Sequence, residues 1–335
     1  MNKILIGLLS FIMLSCGSGK SGKDASDSVK EKYASQINSD DLKEHLYLLS
    51  SDILEGRKTG EKRQEMAVNY FTAYYEHLGL SAHHTYPDYT QHIPQEYFEN
   101  KSDGSSENVL AYIKGSEFPN EVVVISAHYD HLGMKEDEVY NGADDNASGS
   151  SALLELAQSF QLAKKQGKGP KRSILFLHLT GEEIGLYGSK FYIENPIFSL
   201  DSTIVDLNID MVGRVDAEHF DNKEYIYLIG SNRLSQDLHK LSEKTNKKYT
   251  HLKLDYTFNE LDDPYNYYKR SDHYNFAKEN IPVIFYFNGS HADYHITTDT
   301  ADKIDFELLA LRTKLVFYTA WEIANREDRL VLDEK

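Results

Sequence analysis

Cysteine is almost absent. The chain of 335 residues has one, Cys16. A single cysteine excludes an intramolecular disulfide and a thiolate-bound zinc cage, so any metal site must use His, Asp and Glu. Basic charge is also in deficit: 36 Lys and Arg stand against 53 Asp and Glu, a formal net charge of −17. A surface this acidic repels phosphate backbones, which argues against a nucleic-acid partner. Part of that charge can be internal, because carboxylates that hold cations are neutralised on folding. Beyond residue 14 no apolar run is long enough to suggest a membrane span. Hydrophobic residues (40%) and charged residues (27%) are present in ordinary measure. That composition suits a globular chain and excludes a wholly disordered, collagenous or polytopic membrane one.

The N-terminus reads as a targeting segment. Lys3 supplies the positive start and Ile4 to Leu14 is almost wholly apolar, too short to span a bilayer as a mature helix. The run ends in Met13-Leu14-Ser15-Cys16-Gly17, which resembles a bacterial lipobox, with Met13 where Leu is commoner. The expectation is a signal peptide at 1–15 and lipid anchoring through Cys16 to a bacterial membrane, outside the cytoplasm. The plainer alternative is a secretory signal followed by a chance cysteine. Residues 17–32 are polar and Gly/Ser-rich, so 16–38 is expected to be a flexible tether and 39–335 a single domain.

Within that domain, Leu42, Leu46, Leu49 and Ile53 recur at helical spacing, with Ser39 or Asp40 as N-cap. Residues 61–79 suggest a second helix, with Met66, Tyr70, Ala73 and His77 or Leu78 on one face and Gly79 as C-cap. Residues 81–107 show no clear period. Short apolar runs follow at 122–125, 174–177, 204–207 and 283–287, separated by helical patterns at 148–163, 232–245 and 305–325. Continuous apolar runs suit strands covered on both faces. Their alternation with helices predicts an α/β fold with a mostly parallel central sheet sandwiched between helices.

In such a sheet ligands bind at the C-terminal strand ends. After the four runs come His128-Tyr129-Asp130, Gly181-Glu182-Glu183, Asn208-Ile209-Asp210 and a loop with His291, Asp293, Tyr294 and His295. A fifth acidic stretch, Asp144-Asp145-Asn146, opens the helix at 148. Each alone has an ordinary reading as a cap, a turn or a solvated helix start. Together they crowd carboxylates at one sheet edge, where they repel unless cations neutralise them. His and carboxylate donors suit zinc or a related divalent ion, and the donors suffice for two ions if one carboxylate bridges.

The order His-x-Asp, Gly-Ala-x-Asp-Asn-x-Ser-Gly, Gly-Glu-Glu, Asn-x-Asp-Met and Tyr-His-x-x-x-Asp-Thr resembles metallopeptidase family 28. Residues Ser51 to Arg57 resemble the start of many bacterial members. The resemblance implies a zinc-exopeptidase fold and two zinc ions. His128 and Asp210 would hold one ion, Glu183 and His295 the other, and Asp145 would bridge them, with a cis peptide after it. Glu182 would be the general base, passing a proton from the attacking water to the leaving amine. Asp130 would accept a hydrogen bond from the far nitrogen of His128. Asp299 and Asp272 are supporting candidates, and Tyr294 either steadies the oxyanion or simply packs. The implied activity is removal of N-terminal residues from peptide substrates. A glutaminyl cyclase is the competing enzyme, although its bridging motif looks like Asp-Ser-Ala-x-Pro, whereas this chain has Asp145-Asn146-Ala147-Ser148-Gly149. A metal- or partner-binding lipoprotein is the competing class. The Tyr- and acid-rich stretch 252–268 is either a cleft lid, whose carboxylates could bind an α-amine, or a solvated surface insertion.

Overall fold

The computed structural model describes residues 22–334; the signal segment and Cys16 lie outside the described residues. The chain forms α1 (Gly22–Ala34), α2 (Ser39–Leu49), α3 (Gln64–Leu78), β1 (Thr90–Ile93), β2 (Ser106–Ile113), β3 (Phe118–His128) and a small hairpin, β4 (Gly133–Lys135) with β5 (Glu138–Tyr140). Then come α4 (Gly149–Lys165), β6 (Arg172–Leu179), α5 (Tyr187–Glu194), β7 (Thr203–Ile209), β8 (Tyr225–Ile229) and α6 (Gln236–Tyr249). The chain closes with β9 (Lys253–Asp255), α7 (His273–Lys278), β10 (Val283–Phe287) and α8 (Phe306–Asn325).

Eight strands make one sheet in the order β1-β2-β6-β3-β7-β10-β8-β9. The central four, β6-β3-β7-β10, are mutually parallel, so their C-terminal ends share one edge. Burial on both faces explains their apolar runs. In β3, Val123, Ile125 and Ala127 face a core built with α4 and α8, while Val122 and Val124 face Tyr192 of α5 and Phe276 of α7. Each such fully buried aliphatic or aromatic side chain contributes about 1.5–3 kcal/mol. The expected α/β sandwich is therefore the observed one.

Several details differ from expectation. Asn38, not Ser39 or Asp40, caps α2: its Oδ1 accepts from the backbone N–H of Asp40 (3.0 Å) and Asp41 (2.9 Å). The helix stops at Leu49, and Ile53 is exposed on the turn that follows. In α3 the buried face runs through Ala67, Val68, Phe71 and Tyr75, and Met66 points outward. Gly79 ends α3 at φ 69°, the left-handed conformation a C-cap glycine tolerates.

The expected flexible tether is corrected over its described part. Residues 22–34 are helix, and Tyr33, Ala34 and Ile37 are buried in the main core. Tyr33 stacks on Trp321 of α8 at 5.8 Å, and its hydroxyl donates to Gln166 Oε1 (3.1 Å). Tyr33→Ala should lower stability by roughly 3 kcal/mol in a urea titration. An unchanged midpoint would restore the flexible tether.

A buried histidine sets an acid limit. His178 on β6 stacks on Phe71 at 3.8 Å with its Nε2 2.8 Å from the Tyr75 hydroxyl. Burial lowers its pKa from 6.5 to about 3. The unfolded chain therefore binds a proton that the fold refuses. This contribution to stability is complete above pH 6.5 and falls between pH 6.5 and 3, by up to about 1.4 kcal/mol per pH unit. In His178→Gln, unfolding midpoints measured across that range should show a shallower acid slope; a slope equal to wild type would refute the assignment.

Candidate metal centre

The parallel strands deliver the site. His128 is the last residue of β3, and Asp210 follows β7 directly. Glu182 and Glu183 follow β6 after a turn at Gly181, whose φ of 66° favours glycine. His291 and His295 lie on the loop after β10, and Asp145 sits on the turn Ala143–Ser148 that leads into α4. The bond Asp145–Asn146 is cis, as the resemblance implied.

The five expected ligands converge. His128 Nε2 lies 3.4 Å from Asp145 Oδ1 and 3.3 Å from Asp210 Oδ1. His295 Nε2 lies 3.0 Å from Asp145 Oδ2 and 3.2 Å from Glu183 Oε2. The two oxygens of Asp145 thus face opposite ways, one into each donor set. Within each set, His128-Asp145-Asp210 and His131-Asp145-Glu183-His295, the candidate ligand atoms lie within 4.8 Å of one another. His128 Nε2 is buried with no hydrogen-bond partner although carboxylate oxygens surround it, as expected of an atom shaped to hold a cation. Imidazole and carboxylate donors without thiolate fit zinc and similar divalent ions.

His131 was missing from the expected set. Its Nδ1 is 2.8 Å from Glu183 Oε1, and its buried ring also faces Asp145 Oδ2 at 3.9 Å. The signal was its place one residue after Asp130, but ring direction in a loop cannot be inferred from spacing.

Neighbours fix the ligands. Ser271 Oγ donates to Asp210 Oδ2 (2.7 Å), which turns Oδ1 toward His128. Asp299 accepts from the backbone N–H of Asp144 (2.9 Å) and Asp145 (3.2 Å), pinning the bridging turn. Asp144 accepts from Gly213 N (2.6 Å) and faces His291 Nε2 at 3.2 Å. Asp272 accepts from Ser189 Oγ (2.5 Å), and burial lifts its pKa to about 7.

The role expected of Asp130 changes. Its carboxylate is 3.7 Å from His128 Nδ1, whereas its backbone carbonyl lies 3.2 Å from the same atom and accepts the proton. The carboxylate instead accepts from the backbone N–H of Glu182 (3.1 Å) and Glu183 (3.3 Å) and from Thr59 Oγ1 (2.8 Å). Asp130 thus orients the Glu-Glu turn as well as the imidazole.

The electrostatics follow from crowding. Burial raises the Glu182 pKa well above its ordinary value, and Glu183 and Asp210 push the same way against His128. Burial opposes charge on His295, yet contacts with Asp145 and Glu183 win and lift its pKa to about 10. Burial also disfavours ionised Asp145, but His128 and His295 hold its pKa well below the usual range.

Glu182, Asp145 and Asp210 face an open cleft walled by Met211, Tyr267, Phe285, Phe287, Ser290 and Tyr294 with Arg270. From the stretch 252–268, Tyr267 joins this wall and none of the carboxylates does, while Leu261 is 87% exposed. Tyr294 stacks on His295 at 3.8 Å and lines the same cleft.

Comparison with known proteins identifies the family. The sequence profile of peptidase family M28 matches residues 108–320. The chain is 29% identical over 231 residues to a Trichophyton verrucosum protein named a probable leucine aminopeptidase, covering 67% of this chain and 59% of that one. It is 36% identical over 104 residues to a probable glutamate carboxypeptidase of Arabidopsis thaliana, covering 31% of this chain and 14% of the relative. The chain thus spans well under two thirds of the length of these curated relatives. In fold it resembles the Legionella pneumophila LapA aminopeptidase, with TM-score 0.68 at 22% identity over 98% of this chain and 81% of that one. It also resembles a leucine aminopeptidase precursor from Bacteroides thetaiotaomicron, with TM-score 0.64 at 18% identity over 85% and 97%. With the profile covering more than half its length, the chain belongs to peptidase family M28.

Proposed function

We propose that the protein is a zinc aminopeptidase that removes N-terminal residues from peptides, with two ions bridged by Asp145. The observation that carries this reading is the shared carboxylate: Asp145 presents one oxygen to each of two donor sets beside Glu182. His128 and Asp210 would hold one ion, Glu183 and His295 the other, with His131 braced against Glu183. Bound zinc would polarise the scissile carbonyl and make water acidic enough to attack near neutral pH.

The remaining steps belong to side chains. Glu182 lines the cleft beside the ligands, and its raised proton affinity suits a general base. It takes the proton of the attacking water and delivers it to the leaving amine. The Asp130 carboxylate holds the Glu182 backbone N–H and so fixes that base relative to His128. Tyr294, on the cleft wall against His295, is placed to donate its hydroxyl proton to the developing oxyanion.

Glu182→Gln removes the base and keeps the size of the side chain. It should lower turnover of an unblocked peptide by at least about a hundredfold. Two equivalents of zinc per chain should remain by elemental analysis. Turnover near wild type would sink the mechanism, and one equivalent would sink the two-ion reading. With an N-terminal Gln peptide, mass spectrometry should show loss of the residue; loss of ammonia alone would make the protein a cyclase.

We also propose that Cys16 is lipidated and anchors the enzyme to a bacterial membrane, acting outside the cytoplasm. The support is its position just past the end of the apolar run Ile4 to Leu14, with one residue between. Labelled palmitate fed to a bacterial host should enter the full chain and not Cys16→Ser; equal labelling of both would refute the anchor.

A further inference from the structure

The arginines of this acidic chain are partnered with one exception. There are nine. Eight donate to a carboxylate or a backbone carbonyl, as Arg214 does to Asp293 (2.7 Å) and Arg312 to the carbonyl of Val212 (2.9 Å). Arg270 alone has neither among the described residues. Its guanidinium lies over the Tyr267 ring at 4.7 Å, and Nη2 stands 3.3 Å from the Tyr294 hydroxyl. A guanidinium carries five donors, and here most remain turned to solvent. In a chain with 17 more acidic than basic side chains, an arginine without a carboxylate or carbonyl partner stands apart from the other eight.

Its position is the cleft. Arg270 is the single basic residue on its wall. Tyr267, whose hydroxyl is held by Ser290 Oγ at 2.8 Å, and Tyr294 hold the guanidinium between them. Phe285 and Phe287 in its wall are buried, Arg270 is exposed, and Glu182, Asp145 and Asp210 line the same cleft. Chemically the cleft offers carboxylates, buried aromatic rings and one planar cation.

We propose that Arg270 recognises a carboxylate on the substrate, so that the enzyme prefers peptides bearing an acid within reach of the cut site. This deepens the peptidase reading and rests on it. Guanidinium and carboxylate match as two parallel hydrogen bonds, which lysine does not reproduce. The contact with the Tyr267 ring restrains the guanidinium before substrate arrives and lowers the entropic cost of binding. Two sources carry the same group: an Asp or Glu side chain on the N-terminal residue, or the free C-terminus of a dipeptide.

The test compares acid with amide in each source, using the zinc-loaded full chain. Glu p-nitroanilide is set against Gln p-nitroanilide, and Leu-Ala against Leu-Ala amide. In one pair kcat/KM for the acid should exceed that for the amide by roughly ten- to a hundredfold, carried by KM. Whichever pair shows it names the source. In Arg270→Met the acid-to-amide ratio should collapse toward one, and Arg270→Lys should recover only part of it. Equal rates within both wild-type pairs would overturn the proposal. So would a ratio that survives in Arg270→Met while kcat falls alike on all substrates, because Arg270 would then act through Tyr294. If no peptide is cleaved, the aminopeptidase reading fails by itself. Calorimetric titration of Leu-Ala against its amide, and of glutamate against glutamine, then decides the Arg270 proposal: tighter acid binding lost in Arg270→Met supports it, and equal binding overturns it.

Discussion

Like-charge repulsion at one sheet edge is the constraint around which this molecule is organised. Asp130, Asp144, Asp145, Glu182, Glu183, Asp210 and Asp299 gather at the ends of four parallel strands. Two like charges about 4 Å apart repel by about 4 kcal/mol at an effective dielectric of 20. The structure disposes of some of this locally. Asp130 and Asp299 are satisfied by backbone N–H groups, and Asp144 by Gly213 N and His291. What remains facing inward is Asp145, Glu183 and Asp210, with the imidazoles of His128, His131 and His295. Among the described residues those carboxylates accept no backbone hydrogen bond, so bound divalent cations are what would relieve their repulsion.

The sheet edge was legible because its causes are written in residue types. Continuous apolar runs mark strands buried on both faces, and parallel order places their ends together. Hence the clusters around His128, Asp145, Glu183, Asp210 and His295 could be placed on one edge, and the resemblance to metallopeptidase family 28 singled out these five within them. What could not be named were contacts decided by loop direction. His131 reaches Glu183 because the chain turns after Asp130, and the proton of His128 Nδ1 goes to a backbone carbonyl that carries no side-chain signature. The same holds for Arg270, whose meaning lies in the carboxylate partner it lacks.

The missed elements share a different cause. α1 is polar along most of its length, yet Tyr33 and Ala34, with Ile37 just beyond it, are fully enclosed. So few anchors give too weak a period to separate a docked helix from a tether. In α3 the error was one of phase: aromatic residues lie on more than one face, and only packing against β2 and α4 selects Phe71 and Tyr75 for the interior. β8 alternates tyrosine with aliphatic residues, and those tyrosines are buried because Tyr225 and Tyr227 find polar partners at Asn288 and Asp216. A tyrosine run reads as surface until its hydroxyls are accounted for.

The motif Ser51 to Arg57 has no residue among the ligands, yet the ligands depend on it. Arg57 is 1% exposed and touches no carboxylate. Its guanidinium donates instead to the backbone carbonyls of Tyr129 (2.7 Å), Asn141 (2.8 Å), Gly142 (3.0 Å) and Leu49. Tyr129 lies beside His128, and Gly142 opens the turn that carries Asp145. One cation therefore ties together two segments that supply metal donors. Burial lowers its pKa to about 10, against the pull of Asp145 and Asp130, so it stays charged at neutral pH. Gly56 makes the approach feasible: at φ 68° a Cβ there would sit 2.4 Å from the Tyr140 carbonyl and 2.6 Å from that of Gly133. A lysine could not replace Arg57, since one ammonium with three donors cannot span four carbonyls on three segments. The buried guanidinium thus serves both needs of the site: it holds the donor-bearing loops in register and supplies positive charge beneath them without competing for the carboxylates of the two candidate donor sets.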